Sequence, residues 1–297
     1  MANSIDLVTT YLALVDAAYK ELSATARLDA LTMEVPDFMG KAAVKVMKIT
    51  TVGLGTYDRS TGYAAGDITA EWETMTLAIE RGRAFTLDRM DNEEALSLLL
   101  GRVIGEWMRL HVVPEIDAYR FAKYAGTTGV QTVGEAVLSS STVLAAIDAA
   151  FLALDTYEVP ADGRILYISE TCKRYLDAAV TRVLSTEQSV DRRLQQLDGV
   201  TIIPVPQSRF YTEVTLNAGA TSSAGGYSKT TTTGRDLNFM LLHPTAVVQA
   251  VKLNQVKYFT PEANQTTDGH LWQHRLYHDA FVYDQKVKGI YTHKKTS

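Results

Sequence analysis

The chain has 297 residues, of which 46% are hydrophobic and 21% charged, and its net charge is −5. That composition suits a folded protein of one large or two modest domains, and its mild acidity argues against a broad basic surface for nucleic acid. A single cysteine, Cys172, excludes an intrachain disulfide, and no apolar run approaches the ~20 residues of a membrane-spanning helix. The first twenty residues lack a basic leader and carry Asp6 and Asp16, so no secretory signal is expected and the product is expected in the cytosol.

Residues 4–22 predict an amphipathic helix, with Val8, Tyr11, Leu12, Val15, Tyr19 and Leu22 on one side. Val35-Pro36 favours an extended link after it. The apolar stripe is then buried either on its own domain or on another subunit.

Residues 44–85 change character. VKVMKITTVGLGTYD and DITAEWETMTLAIERGRAF are β-rich runs flanking RSTGYAAG, whose residues suit a hairpin turn. Two arms of about 12 residues would reach roughly 40 Å from their base. A lone ribbon is marginal in water, so it packs on its own sheet or lies across a neighbour. Gly53, Gly55, Gly62 and Gly66 are expected to make the distal part pliable.

Residues 92–125 predict a long spine helix. Asp91 with Glu94 forms a capping-box pattern, and Leu96, Leu100, Val103, Trp107 and Leu110 recur on one face. Gly126 closes the helix, Gly101 and Gly105 point to close packing against strands, and Pro114 predicts a kink. A second helix is expected over 142–157 with Ser141 as its cap, then a turn at 160–163 and a buried strand at 165–169. A helix over TCKRYLDAAVTRVL and a strand at 200–205 follow. Residues 217–234, rich in Gly, Ser and Thr, read as a surface loop. A strand at 239–242, a helix opened by Pro244 across 245–252, and long strand segments over 270–291 complete a mixed α+β body, whose terminal strand is expected to return to the spine.

The chemistry-bearing motifs do not resolve into an active site. Gly53-Leu54-Gly55 lacks the third glycine of a dinucleotide fingerprint, and Gly225-Gly226-Tyr227-Ser228-Lys229-Thr230 lacks the Gly-Lys step of a phosphate loop. Cys172, at a predicted helix start, is either a nucleophile or a small buried residue. His270, His274 and His278 would share a helix face, but their surroundings are β-like. In a strand four residues span about 13 Å, too far for two ligands of one zinc ion. Asn264-Gln265-Thr266 matches a glycosylation acceptor, idle without secretion. No catalytic residue, cofactor or metal is expected.

The order of arm, projecting hairpin, spine helix, α+β body and final strands resembles the major capsid protein of tailed bacteriophages, the Hong Kong ninety-seven type fold shared with encapsulins. RGRAFTLDRMDNEEA leading into WMRLHVVPEIDAYRFAKYAG, and FMLLHPTAVVQAVKLNQVKYFTPEANQ followed by LYHDAFVYDQKVKGIY, carry the resemblance over nearly the whole chain. It implies an N-terminal arm at 1–41 and an extended loop at 42–81. It also implies a peripheral domain at 82–159 and 259–297 with the spine helix, and an axial domain at 160–258. It further implies hexamers and pentamers of this chain closing an icosahedral virion shell around double-stranded DNA, assembled in the host cytoplasm with portal and decoration proteins. There is no room for an internal scaffolding segment, so a separate scaffolding protein is expected. Lys45 and Lys48 lie near the loop base and the tip offers only Arg59, so the lysine cross-link of some members is not expected. Tyr11, Tyr19, Tyr57, Arg59, Tyr63 and Trp72 are the candidate inter-subunit contacts, although Trp72 would equally suit the subunit's own core. Gly225, Gly226, Tyr227 and Lys229 mark a candidate axial loop. An encapsulin-type compartment, a cytosolic α+β enzyme and a tail-tube protein are the alternatives.

Overall fold

The computed structural model describes residues 23–31, 43–89, 104–133, 136–180, 194–219 and 225–296. The predicted N-terminal helix with Tyr11 and Tyr19, the Asp91 cap and the first turns of the spine helix lie outside them.

The largest core is a three-layer stack around a six-stranded mixed sheet. Its strands are β4 (Gln131–Val133), β5 (Ile165–Ser169), β6 (Gln196–Leu197), β7 (Val200–Val205), β10 (Leu237–Leu242) and β13 (Ile290–Lys294), in the order β4-β13-β10-β5-β7-β6. ILYIS and LNFMLL are buried at every position, the mark of strands covered on both faces. One face presents Ile165, Tyr167, Met240 and Leu242 to Phe121 and Tyr124 of helix α2 (Val113–Gly126). The other presents Leu166, Ile168, Phe239 and Leu241 to α3 (Val143–Thr156) and α4 (Glu170–Ala179), through Ile147, Leu154 and Leu176.

A second, three-stranded antiparallel sheet runs β11-β12-β3, formed by Val247–Phe259, Gly269–Val282 and Ile79–Asp88. The helix predicted across 245–252 is absent. Pro244–Ala246 makes one 3₁₀ turn and strand β11 follows, paired with β12 along its whole length. Val247, Val248, Val251 and Val256 favour this extended state, and twelve register pairs with β12 outweigh a local helical preference. The late strands return to the spine as expected, β12 through Trp272 beside Ile104 and Met108 and β13 through Ile290 in the cluster of Phe121 and Tyr124, while β13 pairs with β10 and β4 in the six-stranded sheet.

The predicted second hairpin arm breaks in two. β1 (Ala43–Thr51) pairs with β2 (Ile68–Thr76) in a separate two-stranded ribbon. The chain then turns at Leu77 and Ala78, and β3 joins β12. The spine is helical from residue 104 through Gly126, with a π-helical turn at Met108–Val112 directly before α2. Pro114 cannot donate to Leu110. The helix adapts by wide turns instead, with the Val113 amide reaching Met108 O. The extra residue rotates the buried face, so Ile104 and Met108 are buried and the predicted core residue Leu110 is exposed. Gly105 has open space where a Cβ would stand, so it is not a close-packing site. Gly82 is one: a Cβ there would lie 2.8 Å from His274 O.

Helix ends differ in detail. The N-cap of α3 is Thr142, not Ser141, whose hydroxyl bonds Ser139 Oγ instead. Helix α4 is capped by Ser169, whose Oγ accepts from the Cys172 amide. Within the predicted 217–234 loop, Tyr227–Lys229 forms strand β9 against β8 (Val214–Leu216).

Candidate assembly surface

The β1–β2 ribbon has two chemically different faces. Directly opposed residues share a face, so Met47 with Trp72, Ile49 with Ala70 and Thr51 with Ile68 lie together. Met47, Ile49, Ile68 and Trp72 are all exposed, Trp72 at 63%. Trp72 therefore does not fill the subunit's own core. The opposite face rests on the body at its root: Val44 and Met75 pack with Leu77 and Ala250. Farther out, Lys48 Nζ lies 3.4 Å from Asp284 Oδ2, and Gln285 donates its side-chain amide to Ile49 O at 2.9 Å. Partial burial, and secondarily the nearby Asp284, push the Glu73 carboxyl above its usual range. The ribbon is thus held along one face while its apolar outer face meets nothing else in the described chain.

The tip is a built turn. Asp58 Oδ1 accepts from the Ser60 amide (2.6 Å) and hydroxyl (2.7 Å), which hold this carboxyl below its usual range. Asp58 and Gly62 exchange backbone hydrogen bonds, and Gly62 has φ +85°, open to glycine without strain. Tyr57 and Tyr63 flank the turn with ring centroids 4.9 Å apart, and the exposed Arg59 stands between them in the sequence. A Cβ at Gly55 would fall 2.8 Å from Ala64 Cβ, and one at Gly66 2.9 Å from Val52 Cγ2. These two glycines let the arms approach closely, a different role from the pliability expected of them.

The root is fixed by buried and half-buried charges that the sequence reading missed. Arg81 donates to both Glu115 oxygens on α2 at 2.7 and 3.1 Å, and to the carbonyls of Asn217 (2.8 Å) and Gly226 (3.2 Å). Asp279, 2% exposed, accepts from the Ala78 amide (2.9 Å), the Tyr119 hydroxyl (2.6 Å) and the Ala280 amide (2.8 Å). Burial first, then the bond to Asp279, push the Tyr119 phenol far above its usual value. Asp117, fully buried on α2, accepts from Ser23 Oγ (2.7 Å), Ala24 N (3.0 Å), Thr25 Oγ1 (2.8 Å) and Arg209 Nη1 (3.3 Å). It ties the segment before α1 (Ala26–Leu31) to the spine. The available signal was positional: Asp117 and Arg120 interrupt the buried face formed by Ile116, Phe121 and Tyr124.

The other candidate residues are distributed, not convergent. Gly225 and Gly226 precede β9, Tyr227 donates its hydroxyl to Ser208 O at 2.8 Å, and burial raises it to about 12. Lys229 lies 2.9 Å from Asp236 and over the Tyr211 ring. Cys172 is buried beside Asn238 Oδ1 (3.5 Å), and burial pushes its thiol up, the opposite of an activated nucleophile. The three histidines lie on strand β12. His270 bonds Tyr258, and His274 Nε2 faces Asn254 Oδ1 at 3.0 Å. His278 borders a cavity of about 300 Å³ between spine and sheet, where neither its Nδ1 nor the Gln249 amide has a partner among the described residues. Burial lowers His274 to about 4 and His278 to about 3. Among the described residues no three His, Cys, Asp or Glu side chains converge as metal ligands, and no helix is long and apolar enough to cross a membrane.

No family model and no curated protein matches this sequence. Solved structures do. A structure from Mycobacterium phage Che8 superposes with a TM-score of 0.59 at 15% identity, covering 84% of each chain. The capsid of cyanophage P-SCSP1u gives 0.59 at 12% identity, over 88% of this chain and 85% of that one. A virus-like particle from Pyrococcus furiosus gives 0.55 at 9% identity, over 95% and 97%. The chain therefore has the α+β fold of phage major capsid proteins, the Hong Kong ninety-seven type, across most of its length.

Proposed function

We propose that the chain is a major capsid protein, self-assembling into hexamers and pentamers that close an icosahedral shell around non-specifically held double-stranded DNA. The carrying observation is a tethered ribbon whose outer apolar face is unpartnered among the described residues, on a body with the capsid fold. Contiguous exposed apolar surface of this kind marks an interface, and the partner is another copy. Tyr57, Arg59, Tyr63 and Trp72 are the proposed described contacts, with Tyr11 and Tyr19 contributed by the arm. The proposed regions are the arm at 1–41, the extended loop at 42–81, the peripheral domain at 82–159 and 259–297, and the axial domain at 160–258. Gly225, Gly226, Tyr227 and Lys229 border the proposed axial loop. The role is structural, with no catalysis. A separate scaffolding protein, a portal and decoration proteins are the further partners, and the product resides in the virion after assembly in the host cytoplasm.

An encapsulin-type compartment draws less support, since most of the similar solved structures cited are of phages. Light scattering and electron microscopy of Trp72→Glu against the parent chain test the interface. A charge on the outer face is expected to abolish large assemblies while the melting temperature stays within about 2 °C, as for surface substitutions generally. Unimpaired assembly of the variant would remove the ribbon from the interface.

A further inference from the structure

The ribbon leaves the body at Leu77–Ala78, and both residues are held by groups of β12. Leu77 O accepts from the Tyr277 hydroxyl at 2.9 Å, and the Leu77 side chain is buried with Val44, Met75 and Ala250. The Ala78 amide donates to Asp279 Oδ2, while Asp279 Oδ1 receives the Tyr119 hydroxyl from the spine. No described cation lies within ion-pair distance of this buried carboxylate; its hydrogen-bond donors are two amides and a phenol. A buried charge compensated this way is a poor source of stability, because desolvation offsets much of what its hydrogen bonds return. Its distinctive property is geometry. Glu115, which grips Arg81 three residues farther along, and Tyr119, which reaches Asp279, sit one helical turn apart on α2. Two successive turns of the spine thus fix both sides of the ribbon's exit.

We propose that Asp279 and Tyr119 form an orienting clamp that sets the angle at which the ribbon leaves the subunit, and so selects the curvature at which copies join. They are positioning residues, since neither lies on the exposed face of the ribbon. Distal bending at the tip leaves the clamp closed; rotating the whole ribbon opens it. The effect on curvature rests on the capsid reading, whereas the clamp itself can be read in the isolated chain.

Hydrogen exchange on the full chain, as wild type, Tyr119→Phe and Asp279→Asn, reads the amides of residues 77–80, with β5 and β10 as controls. Microscopy of the same samples reads particle diameter. The expected result is at least tenfold faster exchange at 77–80 in both variants, unchanged β5 and β10, and shells of broadened size. Unchanged exchange at 77–80 overturns the clamp, as does acceleration shared by β5 and β10, which marks general loosening. Faster exchange with the wild-type size distribution overturns the role in curvature. Should Asp279→Asn not fold, Tyr119→Phe decides alone. A wild type that assembles neither alone nor with a co-expressed scaffolding protein defeats the capsid reading, and exchange at 77–80 still decides the clamp.

Discussion

At the scale of single residues, the buried polar groups define what is specific to this chain. Asp117 gathers donors from residues 23–25 and from Arg209, while Arg120 donates to Thr25 Oγ1 at 2.7 Å and pairs with Asp29 at 3.2 Å. Removing one partner from such a network leaves the others desolvated, which costs about 3–5 kcal/mol. Asp117→Ala is therefore expected to lower the denaturant midpoint by a matching amount and to expose residues 23–31 to proteolysis. The buried histidines set an acid limit. Their folded values, about 4 for His274 and about 3 for His278, lie below the ordinary 6.5. Between pH 6.5 and 4 the unfolded chain takes up protons that folded His274 refuses, so stability falls as pH falls, by up to about 3 kcal/mol for this residue. His274→Gln is expected to flatten that part of the stability profile, measured by denaturant melts from pH 7 to 4. An unchanged slope would contradict it. None of these roles was legible in the sequence, because they depend on pairings such as Asp117 with Ser23 across 94 residues. The β-like setting of the three histidines was legible, since alternation is a local signal.

At the scale of elements, the ribbon, the spine and strand β11 show where local pattern suffices. The alternation around Trp72 placed the ribbon correctly, and the structure adds which face is covered. Why the second arm splits at Leu77 was not legible: no Gly or Pro marks the break, and Tyr277 and Asp279, two hundred residues away, hold it. The spine was legible as a helix because Pro114 stands alone in a strongly periodic run. The π turn was not, since it reflects how the ladder repairs itself around one missing donor. Strand β11 was misread because Thr245–Lys252 supports either period in isolation, and β12 decides between them. The Trp72→Glu outcome belongs at this scale. Aromatic anchors in interface centres contribute about 2 kcal/mol or more each, and a shell repeats that loss in every subunit.

At the scale of the whole molecule, a rigid three-layer core and a second sheet are joined by one helix, and a two-faced ribbon extends from their junction. Among the described residues the titratable groups are scattered, and the buried Asp117 and Asp279 are taken up by hydrogen bonds within the fold. The arrangement is a good design for a tile, with stiff layers and an apolar edge. The order of parts was legible because each part has its own period or composition; the pairing of β13 with β10 was not, since sheet order is set by contacts distant in sequence. The central claim is that copies of this chain close into shells. Cryo-electron microscopy of the full chain, alone and co-expressed with a scaffolding protein, tests it most directly. The account predicts rings of five and six subunits and closed shells in which the ribbon's Trp72 face lies against a neighbouring copy. Discrete monomers under every condition, or assemblies that leave that face open to solvent, would contradict it.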